Sequence, residues 1–264
     1  MTNSKVEWFD FSPAFRSPEK YIALVASLSH GRNPEEVSPE KLTQKLIDLG
    51  HESVFEFIRY PAPYCNARKS GLLPPDMFSD IDEHILRQKY GTVRLTVSVY
   101  AARQIMRHRT FAYLELSRRY TKPPRVDVAF TLPDSPNIQQ TADLYWRAYN
   151  YAKQTYSTLL TEYKEPAQFA RAVLPFGMLT TFWMQGSFKA WGNFLVYRLH
   201  PAAQPETRKV AEEIWNSFKM FQLPLAKKIA NYLLESWVKE APEMFRKGRQ
   251  AHLDKVKHYF TPLQ

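Results

Sequence analysis

The chain has 264 residues, of which 44% are hydrophobic and 14% aromatic, enough to bury about three-quarters of its unfolded surface, so a compact fold is expected and a disordered or repeat architecture is excluded. A formal net charge of +10 predicts attraction for polyanions without choosing among nucleic acid, phosphorylated small molecules and a solvated basic surface. No apolar run approaches the ~18 residues of a membrane span, no apolar signal region follows the N-terminus, and the single Cys65 leaves no internal disulfide or multi-cysteine metal site, all of which suits a cytoplasmic protein.

In chain order, Ser38-Pro39-Glu40 opens a helix that places Leu42, Leu46, Ile47 and Leu49 on one face before Gly50 stops it. Alternating apolar residues over 54–60 (Phe55, Phe57) and over 93–99 (Val93, Leu95, Val97, Val99) predict two strands. Between them, residues 61–90 hold Pro61, Pro63, Gly71, Pro74 and Pro75 and read as an excursion from the core. A helix over 100–108, a proline-rich loop over 121–137 and a long helix over 138–163 follow, the last with Leu144, Ala148, Tyr151, Thr155 and Leu159 along one stripe. Pro166 opens a short helix that carries Arg171, residues 178–185 form a candidate strand, and helices are expected over 187–199, over 205–221 and through most of the remainder. Helices and strands do not alternate regularly, so the class is α+β in a single domain.

The densest chemistry lies in 103–120, where five arginines stand beside Gln104, His108, Glu115 and Ser117. Charges this close, interleaved with aromatic and aliphatic residues, are costly to bury unpaired and call for an anionic partner. The planar guanidinium fork suits phosphate, and serine hydroxyl and glutamine amide complete an oxygen shell. On composition alone, a solvated basic face or an oligomer contact stays open beside a phosphate site.

Arg107-His108-Arg109, seven residues, then Ser117, with Arg119 and Tyr120 following, resembles the signature of the flavin-dependent thymidylate synthases. His51-Glu52-Ser53-Val54-Phe55-Glu56, the run Ala-Arg-Ala-Val-Leu-Pro at 170–175, and Asn193-Phe194 through Arg198 with Gln204-Pro205-Glu206-Thr207-Arg208 resemble further blocks of that family in the same order. The resemblance spans most of residues 20–215 and implies helices around an antiparallel-rich sheet. It implies flavin contacts at Arg107, His108, Arg109, His51, Ser53, Glu56, Lys189 and Asn193. Gln104, Ser117, Arg119 and Arg171 are placed at the nucleotide phosphate and sugar end, with Arg118 beside them, Glu115 at the ribose and Arg198 at the uracil edge.

By the same resemblance, bound FAD is reduced by NADPH, methylenetetrahydrofolate gives the one-carbon unit, and dUMP becomes dTMP without a cysteine nucleophile, in a homotetramer whose active sites draw on more than one chain. An arginine near the pyrimidine ring favours negative charge developing there, which makes Arg198 the residue closest to catalysis. Ser117 is then a phosphate ligand. Several positions depart from the family pattern: Ala112 and Leu114 replace Ser and Asn, Arg118 replaces a small residue, Ser187 and Lys189 replace Asn and Arg, and Ala202 replaces His. Those inside the motif flank the expected sugar site and raise an alternative, a UMP methylase on the same scaffold.

Other readings are structural. His51 suits a helix cap, Glu56 a solvent-facing strand position, and Arg171 and Arg198 the cationic ends of helices. Trp183, Trp191 and Trp215 suit core or subunit contacts, as do the tyrosines of the long helix. A basic nucleic-acid-binding module, its arginines on an open surface, is the alternative from a different class.

Overall fold

The computed structural model describes residues 5–8, 18–33, 36–49, 90–123, 126–221 and 223–263. Among them, strands β1 (Lys5–Trp8), β2 (Tyr90–Ser98), β3 (Ala112–Glu115) and β4 (Leu179–Ser187) form one antiparallel sheet in the order β1-β2-β4-β3. Helices α1 (Pro18–Ser29) and α2 (Pro39–Asp48) precede β2, α3 (Val99–Ile105) follows it, and α4 (Ile138–Thr161) and the single turn α5 (Ala167–Ala170) lead to β4. After β4 come α6 (Phe188–Arg198), α7 (Pro205–Phe221), α8 (Leu223–Asn231), a π turn (Tyr232–Ser236) and α9 (Glu243–Val256). The α+β class read from the sequence holds.

Strand alternation divides the core in two. Val93, Leu95 and Val97 of β2 and Phe182 and Met184 of β4 are fully buried and face α3, α6 and the C-terminal helices. Each such side chain stabilises the fold by roughly 1.5–3 kcal/mol relative to exposure. On the opposite face, Trp183 and Ala112 pack against Ile22, Val25 and Ala26 of α1 and Leu46 of α2, with Leu114 half-buried beside them. A third cluster joins α4 to the loop before it, where the Phe130 and Tyr149 rings stack at 4.8 Å.

Three expectations need correction, and one strand was not anticipated. Val99 belongs to α3, because Ser98 ends the strand and caps the helix. Strand β3, only 4 residues long, was too short for its alternation to register. Leu49 is exposed, one residue beyond the end of α2. On α4 the stripe marked by the sequence is not the buried one: Leu144 is 62% and Tyr151 74% exposed, whereas Tyr149 and Tyr156 are buried. Apolar residues occur around more than one side of this helix, so periodicity finds a stripe without saying which one the loop at 126–132 covers. The expected strand at 54–60 and the segment 61–89 lie outside the described residues.

Candidate functional site

Two strands run directly into helices, and both junctions are serines. Ser98 accepts a hydrogen bond from the Ala101 N–H at 3.1 Å, and Ser187 one from the Ala190 N–H at 3.3 Å, each supplying the acceptor that a helix N-terminus lacks. Ser98 is held further by the buried Glu206 of α7, whose carboxylate accepts from the Ser98 N–H at 2.9 Å and from its hydroxyl at 2.6 Å. Burial and the neighbouring Glu206 push the Tyr100 phenol well above its usual range.

At the end of α3 the chain turns through Arg107-His108-Arg109. Tyr113 of β3 braces this turn: its hydroxyl lies 3.0 Å from the carbonyl of Ile105 and 2.9 Å from that of His108. Burial pushes the phenol well up, partly offset by Arg198, so the donor proton stays in place at ordinary pH. Phe111 docks against β4 at Gly186, where a Cβ would collide with its ring. Phe111 and Tyr113 lie on the same face of the sheet, their ring centroids 6.1 Å apart, so the turn is placed from that one face.

Helix α6 brings Arg198 to this turn across 90 residues of sequence. The Arg198 Nε–H donates to His108 Nε2 at 2.9 Å, and a terminal guanidinium nitrogen donates to the Gln104 carbonyl at 2.8 Å. An acceptor at Nε2 requires a neutral imidazole with its proton on Nδ1. In agreement, burial and then the Arg198 charge lower the His108 pKa to about 4. His108 also packs edge-on against Phe194, with ring centroids 5.1 Å apart. Arg107 and Arg109 flank it and are exposed.

The other end of β3, about 13 Å away for its 4 residues, opens a second turn. Here the Ser117 carbonyl accepts from the backbone N–H of Tyr120 and Thr121 at 3.2 and 3.0 Å, and the Ser117 hydroxyl accepts from the Arg119 N–H at 3.3 Å. Arg119 and Arg171 converge on one residue of α5: Arg119 Nε donates to the Gln168 side-chain oxygen at 3.1 Å, and Arg171 Nε to the Gln168 carbonyl at 3.2 Å. Among the described residues neither guanidinium is paired with a carboxylate, which leaves two converging cations suited to a phosphate. Glu115, one residue before Leu116, accepts from the Thr180 hydroxyl at 2.6 Å.

Comparison with protein families matches residues 76–222 to the thymidylate synthase complementing protein family. The chain belongs to that family. A relative from Pseudothermotoga lettingae, named flavin-dependent thymidylate synthase, is 29% identical over 205 residues, covering 74% of this chain and 77% of that protein. Relatives of the same name from Mycobacterium tuberculosis and Mycobacterium avium are each 32% identical over 134 and 133 residues, covering 44% of this chain and 52% of each relative. The match thus spans about half the length of the mycobacterial proteins.

Against the family pattern, the structure brings together Gln104, Arg107, His108, Arg109 and Arg198 at one end of β3, and Ser117, Arg119 and Arg171 at the other. It separates Arg118 from them. That side chain is 7% exposed and donates to the carbonyls of Val126 at 2.9 Å and Asp127 at 2.7 Å, which makes it a brace of the loop rather than a residue facing a nucleotide. Ala112 and Leu114 face α1, so these two departures from the family pattern are filled by core packing. Ser187 caps α6. Lys189 and Asn193 face the C-terminal segment, as described below, and His51, Ser53 and Glu56 lie outside the described residues. Tyr113 and Gln168 were missed from sequence, because their roles arise from contacts with distant backbone and side chains that no local pattern marks.

Proposed function

We propose that the chain is a flavin-dependent thymidylate synthase that methylates C5 of dUMP, taking the one-carbon unit from methylenetetrahydrofolate and reducing equivalents from NADPH. The Arg198–His108 hydrogen bond carries this reading. It joins the Arg-His-Arg turn to the last residue of α6 and leaves a half-buried, permanently charged guanidinium beside a neutral imidazole. Such a cation, fixed in advance by the Gln104 carbonyl, favours negative charge developing on a pyrimidine held against it.

The donor set fits FAD, a group with anionic phosphates and an acceptor-rich ring. Arg107 and Arg109 offer exposed guanidinia, His108 carries its proton on Nδ1, and the Asn193 amide adds a donor from α6; Lys189, which would have to leave Glu240 to reach the cofactor, and His51, Ser53 and the acceptor Glu56 complete the residues proposed for it. Bound FAD supplies the hydride for the methyl group. Arg119, Arg171 and Ser117 hold the phosphate and sugar end of the nucleotide and Glu115 the ribose, while Gln104, expected from the resemblance beside them, stands with Arg198 at the opposite end of β3. A homotetramer suits the exposed apolar residues Leu144, Trp146 and Tyr151 of α4, which a second copy would cover. Among the described residues no helix is long and apolar enough to cross a membrane, and a cytoplasmic location is proposed with the activity.

The test is an absorbance spectrum of the purified protein, followed by product analysis with labelled methylenetetrahydrofolate and either dUMP or UMP. A flavin spectrum and dTMP from dUMP are expected. Colourless protein that FAD does not reconstitute rejects the flavoenzyme reading, and a methylated product from UMP alone moves the acceptor to the ribonucleotide.

A further inference from the structure

Helix α6 presents Lys189, Asn193 and Tyr197 at successive i, i+4 positions, a single stripe, and the C-terminal segment packs along it. This segment, 223–263, begins after the family match ends at residue 222. Gly192 admits it: a Cβ there would lie 3.3 Å from both the Leu233 and Tyr232 side chains. The π turn closes with the Trp237 N–H bonded to the Tyr232 carbonyl at 2.8 Å, which sets the fully buried Trp237 ring beside the stripe. The ring stacks edge-on to Tyr197 at 5.9 Å, and the Arg249 guanidinium lies over it at 4.8 Å. Its indole Nε1–H donates to Asn193 Oδ1 at 2.5 Å. One turn earlier on the stripe, Lys189 Nζ meets both oxygens of Glu240, at 3.1 and 3.2 Å, and lies over the Tyr232 ring.

An indole N–H only donates, so the atom it meets must be the amide oxygen of Asn193, and the amide nitrogen must point the other way. Among the described residues nothing accepts from that nitrogen. We propose that Trp237 is a positioning residue of the flavin site: by holding Asn193 Oδ1 it turns the Asn193 N–H2 group toward the cofactor, so that Asn193 meets an acceptor atom of the flavin and never a donor. This rests on the flavin reading above and deepens it, because it fixes the polarity of one contact and assigns it to a residue outside the matched family region. A rotating amide could offer either end to a ligand; one locked by an indole offers only its donors.

FAD binding to apoprotein, followed by quenching of flavin fluorescence, tests the proposal in wild type, W237F, N193A, N193D and the W237F/N193A double variant. W237F is expected to weaken FAD about fivefold, the loss of one orienting hydrogen bond, and to add nothing on the N193A background. N193D is expected to bind FAD less tightly than N193A, because one carboxylate oxygen still accepts from Trp237 and the other faces a cofactor acceptor. Equal loss from W237F in both backgrounds, or N193D binding as tightly as wild type, overturns the proposal. If W237F does not fold, the N193D and N193A pair decides alone. Failure of wild type to bind FAD rejects the flavin reading itself, an outcome distinct from wild-type binding that these variants leave unchanged.

Discussion

The two strand-to-helix junctions start alike and end differently. In β2–α3 the capping serine is locked by the buried Glu206, the helix is only 7 residues long, and its end is gripped by Tyr113 and Arg198. In β4–α6 the serine caps unaided by any carboxylate in its described bonds, the helix runs 11 residues, and it is held along its length by the C-terminal segment. The first unit presents backbone and a histidine at a fixed point, whereas the second presents a row of side chains. The Arg198–His108 contact needs the short unit anchored at its two ends and the long one anchored along its face, since a tilt of α6 moves Arg198 away from a turn that cannot follow.

The most severe break in this arrangement is Arg198→Ala. Removing a preorganised charge at the junction of the two units is expected to lower kcat by about a hundred- to a thousandfold while flavin absorbance is retained, measured by dTMP formation and a spectrum of the same sample. Turnover near the wild-type rate would separate Arg198 from the chemistry.

Glu206→Ala tests the anchor of the shorter unit. It strips the Ser98 N–H and hydroxyl of their charged acceptor in a buried position, and a loss of about 3 kcal/mol in urea unfolding is expected. The comparable loss at Ser187→Ala is about 1 kcal/mol, because only a helix cap is removed there. Equal losses at the two sites would erase the contrast between the junctions.

A smaller effect comes through pH. His108 has its pKa lowered from 6.5 to about 4 in the folded chain, so between those values the unfolded chain binds the proton more readily. Its stabilising contribution is therefore complete above about pH 6.5 and is lost as pH falls through 4, at most roughly 3 kcal/mol and less where solvent reaches the ring. Protonation also removes the acceptor of the Arg198 bond. His252 is shifted in the same direction, by burial and then by His200, so the measurement is the difference in pH dependence of urea unfolding between wild type and His108→Gln. Parallel curves would show that His108 is not held neutral by the fold.

Much of the helical framework is legible in the sequence. Ser187 and Pro205 mark helix starts that the structure keeps, and the alternation Val93, Leu95, Val97 marks a strand whose inward residues are fully buried. The motif around Arg107-His108-Arg109 and Ser117 marked the family and the candidate site. Less legible were the elements whose signal is shorter than one period or shared by several faces: β3 with its 4 residues, and α4, whose apolar side chains leave more than one candidate stripe. Within the motif, Arg118 looked like its neighbours because composition does not distinguish a guanidinium that faces a ligand from one that ties two carbonyls of a loop.

What the sequence by itself determined were short-range properties: serine caps, helix periodicity, strand alternation and the spacing of arginines along the chain, each set by neighbours within a turn or two. Only the tertiary structure decided which of those arginines meet. Arg198 reaches His108 because β4 pairs antiparallel with β2 and α6 lies over their shared apolar face. Asn193 has a defined orientation because a tryptophan 44 residues further along the chain is folded back against it. The physical reason is that a hydrogen-bonding partner is selected by packing across the whole core, whose contacts are non-local, while the pattern that makes each helix or strand is complete within its own few residues.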